Sequence, residues 1–122
     1  MFQVLTNNPK AYNWWLKREN KQVQVVWQEG GFDSVLTAAR DLVHLGYRVI
    51  NHPLSSSIKP NQTPYKTLIL AQGTGLDYQS LSVIEAAIAA SKKLGVFPGS
   101  TQSILEDLQF MDLEMCREIQ LQ

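Results

Sequence analysis

The sequence predicts a small α/β domain, a three-layer Rossmann-like or flavodoxin-like sandwich around a mainly parallel sheet of four to five strands. Two observations support this prediction. Short β-branched or apolar runs alternate with stretches of helical periodicity, and the breaks between them are rich in Gly, Asn, Ser and Pro. The length of 122 residues fits one domain, taken as residues 1–122. Strands that alternate with helices are typically parallel and joined by right-handed crossovers.

The first predicted elements are a strand, a helix and a strand. Phe2–Leu5 is a short apolar run. Asn8 followed by Pro9 predicts a helix start, because Asn caps free N–H groups and proline loses no hydrogen bond at the first helical position. This helix is expected to reach about Glu19. The valine-rich segment Gln22–Trp27 is the second predicted strand.

The second helix and third strand follow a glycine-rich break. Val35, Ala39 and Val43 recur at helical spacing. Gly46 stands where a helix C-terminus favours a left-handed residue. Tyr47–Asn51 is the third predicted strand.

A buried strand and a long helix come next. Lys66–Ala71 is nearly all apolar, which predicts a strand covered on both faces. Asp77 is placed to cap a helix that extends to about Leu94, where Gly95 ends it.

The last quarter of the chain allows two interpretations. A helical stripe is formed by Ile104, Leu108, Met111, Met115 and Ile119, whereas Met111, Leu113 and Met115 also alternate with acidic residues as in a strand. We predict a short helix to about Asp107, followed by a strand at Leu108–Leu113.

Four polar segments are expected to meet beyond the carboxyl ends of the strands, where ligands bind in parallel α/β sheets. They are the run Thr6, Asn7 and Asn8, residues 28–31, the loop at residues 52–64, and residues 72–75.

The loop at residues 52–64 is the sharpest functional signal. Three prolines and three consecutive serines exclude regular structure, and a loop of this length is often functional. Hydroxyls, amides and a lysine are suited to a small anion. The candidate binding residues in and beside this loop are His52, Ser55, Ser56, Ser57, Lys59, Asn61, Thr63 and Lys66. A rigid polar crossover without a ligand is the alternative.

Several classes of function are disfavoured. Eleven basic and eleven acidic residues argue against a nucleic-acid partner. The chain has no phosphate-binding P-loop motif, and its Gly73-Thr74-Gly75 turn lacks the third glycine of a dinucleotide fingerprint. We therefore expect no nucleotide cofactor. The single cysteine and the spacing of His44 and His52 predict no metal site.

The expected location is the cytoplasm. The N-terminus lacks the features of a signal peptide, and no apolar run approaches the ~20 residues that a membrane crossing needs. The adjacent Trp14 and Trp15 lie about 100° apart on a helix, so one is expected to be only partly covered. An exposed indole at a partner surface and an indole lying along the stem of Lys17 or Arg18 remain alternatives.

Three segments carry a family resemblance: Thr6-Asn7-Asn8-Pro9, residues 41–46 (DLVHLG), and above all residues 52–66 (HPLSSSIKPNQTPYK). On these segments the sequence resembles the GrdX family. Where that family pattern is expected to have glycine, this chain has Ser56. The resemblance implies a small protein of amino-acid-fermenting anaerobic bacteria, encoded beside the components of selenium-dependent glycine, sarcosine and betaine reductases. It implies no defined activity, and this chain has no selenocysteine with which to perform the reductase chemistry.

The leading hypothesis is thus a non-catalytic accessory protein that binds a small anion or a protein of the reductase complex. The alternative is a small enzyme acting on a phosphorylated or carboxylated metabolite, with His52 as general base. In the anion hypothesis Lys59 supplies the charge, so Lys59→Ala is expected to abolish stabilisation by anions. A homodimer is also expected, with the Trp14 and Trp15 helix as its candidate surface.

Overall fold

The computed structural model describes residues 1–55 and 58–121. Within these residues the chain forms four strands and four helices. In chain order they are β1 (Phe2–Thr6), α1 (Pro9–Leu16), β2 (Val23–Trp27), α2 (Phe32–His44), β3 (Tyr47–Val49), β4 (Thr67–Gln72), α3 (Tyr78–Leu94) and α4 (Gln102–Cys116).

The prediction of a mainly parallel Rossmann-like or flavodoxin-like sheet is wrong. The strand order is β2-β1-β4-β3, and β1 is parallel to β2 alone. Strand β4 lies between β1 and β3 and runs antiparallel to both, with Thr6 opposite Thr67 and Val49 opposite Leu70. The described sheet is therefore mixed and four-stranded.

The segment between β3 and β4 explains the change of direction. A parallel connection usually contains a helix that crosses the sheet. Residues 50–66 contain none among those that the structure describes. Without such a crossover, β4 returns beside β3 as an antiparallel neighbour.

The predicted strand at Leu108–Leu113 is also wrong, because these residues lie inside helix α4. Thr101 caps α4 by accepting a hydrogen bond from the Ile104 N–H. The buried positions of α4 are Gln109, Leu113 and Cys116, which recur at helical spacing. The alternation of Met111, Leu113 and Met115 with acidic residues therefore does not mark a strand.

Helices cover both faces of the sheet, and each face has its own core. One core joins α2 and α3 to the sheet through side chains such as Leu36, Ile84 and Leu68. The other joins α1 and α4 to the sheet through side chains such as Trp15, Leu113 and Ile69. Strand β4 contributes to both cores, so its predicted burial on both faces is confirmed.

Several predicted helix ends are confirmed. The Asn8 side chain accepts from Lys10 N at the start of α1, and Asp77 accepts from Ser80 N at the start of α3. Gly46 follows α2 with φ of +103°, a conformation that disfavours any residue with a Cβ.

The directions of the four strands determine which loops lie close together. The carboxyl ends of β1, β2 and β3 and the amino end of β4 share one edge of the sheet. Residues 72–75 lie at the opposite edge, where Gly73 N donates to Gly46 O at 3.0 Å. Three of the four predicted polar segments therefore meet, and the fourth does not.

Candidate functional site

Asn7 ties the three converging segments together. Its Nδ2 donates to Gly30 O at 2.9 Å and to Pro64 O at 2.7 Å, and its Oδ1 accepts from Lys66 N at 2.9 Å. The side chain is 5% exposed. Both amide hydrogens are occupied by protein carbonyls, so Asn7 positions the loops and leaves ligand binding to its neighbours.

A buried polar network continues from β1 into α4. Thr6 Oγ1 lies 2.7 Å from Thr67 Oγ1 and accepts from Asn8 N at 3.0 Å. Asp112 accepts from Thr67 Oγ1 at 2.6 Å, from Thr67 N at 3.1 Å and from Asn8 Nδ2 at 2.8 Å. Asn8 Nδ2 also donates to Gln109 O at 2.8 Å. The Asp112 carboxylate is thus satisfied by three neutral donors.

Lys66 is the charged group that this network leaves available. Its side chain is 6% exposed, and it forms no ion pair with the described residues. Burial lowers the pKa of its ammonium, while the negative charge of Asp112 opposes that shift. The nearest aromatic partner is Phe32, whose ring centroid lies 5.9 Å from Nζ.

Lys66 opens onto a cavity of about 240 Å³ between the end of the loop and helix α4. This volume suits a small metabolite, because drug-sized ligands occupy pockets of about 300–1,000 Å³. The polar or charged lining residues are Thr63, Tyr65, Lys66, Asp112 and Glu114, and the apolar ones are Phe32, Ile58, Leu108, Phe110, Met111 and Met115.

Two hydroxyls beside Lys66 retain a hydrogen that they can donate. Thr63 Oγ1 accepts from Tyr65 N at 3.2 Å, and Tyr65 Oη accepts from Gln109 Nε2 at 2.8 Å. A hydroxyl that accepts one bond still has its own O–H to offer. An ammonium and two hydroxyls in the lining of one cavity are groups that can hold the anionic part of a small molecule.

The other candidate binding residues of the loop that the structure describes do not line this cavity. Lys59 is exposed, its backbone N–H donates to Gln62 Oε1 at 3.0 Å, and it lines a separate concavity of about 190 Å³. Ser55 is exposed and its Oγ donates to His52 O at 3.0 Å.

Asn61 Oδ1 is buried without a hydrogen-bond partner among the described residues. Ser56 and Ser57, including the expectation about glycine at position 56, lie outside the described residues.

His52 lies in a third place. Its Nδ1 accepts from Leu54 N at 3.0 Å, and its ring lines a polar concavity of about 300 Å³ with Asp77 and Ser80. Its side chain is exposed. The structure therefore separates His52, Lys59 and Lys66 into three concavities, and the role of His52 as a general base stays a hypothesis.

Asp112, Gln109 and Tyr65 are site residues that the sequence prediction missed. The first two belong to α4, and their proximity to β1 appears only when this segment is a helix. Gln109 alone carried a usable signal, because it shares a helical face with Leu113 and Cys116.

The tryptophan pair behaves as expected. Trp15 is 4% exposed, whereas Trp14 is half-buried and lies edge-on to it, with ring centroids 5.0 Å apart. The Arg18 guanidinium covers the Trp14 ring at 3.5 Å from its centroid. This geometry confirms the interpretation in which an indole lies along a basic side chain.

The described part of the chain lacks both a helix that could cross a membrane and a cluster of metal-ligating side chains. None of its helices has the length and apolar character that a bilayer crossing requires. The same residues contain no group of three or more His, Cys, Asp or Glu side chains placed to hold a metal ion.

Comparisons with known proteins gave one match. A family model described as GrdX-like protein matches residues 3–120, nearly the whole chain. The curated proteins and the solved structures gave no match.

Proposed function

The chain belongs to the GrdX-like family, and on this premise we propose that it is a non-catalytic accessory protein which binds a small anionic metabolite in the Lys66 cavity. The system it serves in this proposal is a glycine-reductase-type amino-acid fermentation. The family name supports that setting. The buried side chains around Lys66 support the binding role.

The buried ammonium of Lys66 carries the proposal. Lysine is rarely buried without a paired carboxylate, because removing the charge from water is costly. The Asp112 carboxylate accepts hydrogen bonds from Thr67 and Asn8 and forms no ion pair with Lys66. The Lys66 ammonium can therefore bind an anionic ligand. A cavity lies directly beside it.

The lining indicates the chemistry of the ligand. A carboxylate or phosphate group would accept from Lys66, Thr63 and Tyr65. A short apolar part would contact Phe32 and Met111, which line the same cavity. The loop thus contributes its last residues to the site, and α4 contributes the apolar wall.

The test is a set of thermal melts against inorganic phosphate, sulfate, acetate and short-chain carboxylates. Lys66→Met keeps the apolar stem and removes the charge. A hydrogen bond to a charged group contributes about 1.5–3 kcal/mol, so affinity should fall roughly ten- to a hundredfold. The unliganded protein should be as stable as wild type or more so, because a desolvated charge is lost.

Lys59→Ala is the matched control, since it removes an exposed lysine of the same loop. It also tests the alternative hypothesis that Lys59 supplies the charge. We expect anion stabilisation to survive this change. If Lys59→Ala abolishes it and Lys66→Met does not, the anion belongs at Lys59. If no anion in the panel raises the melting temperature of wild type, the binding function is refuted.

The catalytic alternative has one supporting observation. His52 Nδ1 accepts from Leu54 N, which leaves Nε2 without a partner among the described hydrogen bonds, and His52 lines a polar concavity. Turnover of a phosphorylated or carboxylated metabolite that is lost in His52→Ala and kept in Lys66→Met would favour this enzyme over the binding protein.

A further inference from the structure

Helix α4 presents an apolar stripe to solvent. Ile104, Leu108, Met111 and Met115 are spaced by four, three and four residues, which places them within about 60° of arc. Ile104 is 48% exposed, Met111 44% and Met115 49%. The buried face of α4 is formed by other residues, so this stripe contributes little to the core.

A row of carboxylates borders the stripe. Asp107 and Glu114 lie two turns apart on one side of α4, and Glu118 follows in the turn after the helix. Glu114 pairs with Arg117 at 2.8 Å, whereas Asp107 and Glu118 form no ion pair with the described residues. Helix α4 itself contains no lysine or arginine.

The described residues after α4 do not provide a cover for the stripe. Ile119 and Leu121 pack against the core that contains Trp15 and Leu113, on the buried side of α4. These tail residues therefore leave the stripe exposed, and three of its members, Leu108, Met111 and Met115, also line the Lys66 cavity.

We propose that the stripe and its carboxylate row form a docking surface for a basic amphipathic helix of another protein. Exposed methionines adapt to different apolar side chains, and helix-in-groove partners present an apolar face of matching spacing. Lysines or arginines flanking that face would meet Asp107 and Glu118. A second copy of this chain fits less well, since pairing two such helices brings carboxylate-rich surfaces together.

The probe is a synthetic amidated helical peptide in which pairs of Leu alternate with pairs of Lys. The control peptide has Glu in place of every Lys. Binding is measured by fluorescence anisotropy. We expect wild type to bind the Lys peptide, with affinity falling as salt is raised. Ile104→Lys should weaken binding at least tenfold. Ile104 does not line the Lys66 cavity, so this variant leaves the proposed ligand site intact.

Val96→Lys is the matched control, because Val96 is an exposed apolar residue outside α4, at 82% exposure. It should change affinity less than twofold. Equal affinity of wild type and Ile104→Lys, or equal binding of the Leu/Glu peptide, would overturn the proposal. So would light scattering that shows a dimer abolished by Ile104→Lys, because a second copy would then be the occupant. Ile104→Lys should keep the anion-induced rise in melting temperature, which separates failure of the docking surface from failure of the ligand site.

Discussion

Asn8 combines two roles that normally belong to different residues. It caps α1 through its side-chain oxygen, and its Nδ2 donates to Asp112 and to the carbonyl of Gln109. The residue is fully buried. The cap requires an acceptor, and the contact with α4 requires a donor. An amide supplies both.

Asn8→Asp separates the two roles. Aspartate is as good an N-cap as asparagine, so a helix-propensity argument predicts no loss. Here the new carboxylate would face Asp112 and the Gln109 carbonyl without a proton to donate. We expect a loss of about 2–4 kcal/mol in the free energy of unfolding at pH 7, because buried acceptors would face one another.

Urea denaturation of Asn8→Asp and Asn8→Ala checks this prediction. The loss in Asn8→Asp should shrink as the pH is lowered, since a protonated carboxyl regains a donor. Asn13→Asp, at an exposed position of α1, is the control and should cost little. A stable Asn8→Asp variant at pH 7 would show that the contact with Asp112 contributes nothing.

At the scale of elements, a close backbone contact leaves no room for a side chain at one glycine of the turn after β4. Gly73 N donates to Gly46 O, and a Cβ placed on Gly73 would lie 2.6 Å from that same oxygen. A Cβ on the neighbouring Gly75 would meet no atom of the described residues within 4 Å. The two glycines of this turn therefore have different structural roles.

Gly73→Ala should destabilise the protein by about 1–3 kcal/mol, because the backbone of β4 or of the turn after α2 must shift to relieve the contact. Gly75→Ala should be neutral or slightly stabilising. Thermal melts of the two variants under one condition decide the matter. Equal melting temperatures would mean that the turn moves freely.

Elements with a strong local signal were predictable from the sequence. Asn8-Pro9 and Asp77 mark helix starts through their own hydrogen bonds, and the apolar run of β4 marks a central strand. The direction of β4 was not predictable from its residues, because it depends on a connection without a helix. Helix α4 was missed since the alternation at Met111, Leu113 and Met115 mimics a strand. The cavity beside Lys66 then could not be foreseen, because α4 forms one of its walls.

At the scale of the whole molecule, Cys116 reports on the attachment of α4. Its side chain is 1% exposed, and Trp15 Nε1 donates to its Sγ at 3.4 Å. Burial raises the pKa of this thiol to about 12. A thiolate is the reactive form, so the folded protein at pH 8 should not react with Ellman's reagent.

One equivalent of thiol should react after unfolding in guanidinium. Between those limits, the labelling rate measures how often α4 detaches from α1. Rapid labelling of the folded protein would show that this packing opens easily. Cys116→Val provides the blank.

The same raised pKa predicts a pH effect. An unfolded thiol ionises from about pH 9, whereas the folded one stays protonated until about pH 12. The unfolded state thus binds fewer protons in this range, and stability falls by up to about 1.4 kcal/mol per pH unit. The lowered pKa of Lys66 acts in the opposite direction, so the wild type is compared with Cys116→Val, in which Lys66 is unchanged.

The central position of β4 has a consequence for how the chain is made. Strand β4 lies between β1 and β3, yet it follows both in the sequence. A nascent chain that ends before Thr67 has strands β1 and β3 but lacks the strand that joins them. The backbone N–H and C=O groups of β1 on that side then have no partner, and an unpaired edge favours association with other chains. Stable folding during translation must therefore wait until Gln72 has left the ribosome, and chaperones that shield apolar strands would act on the first 66 residues before that point.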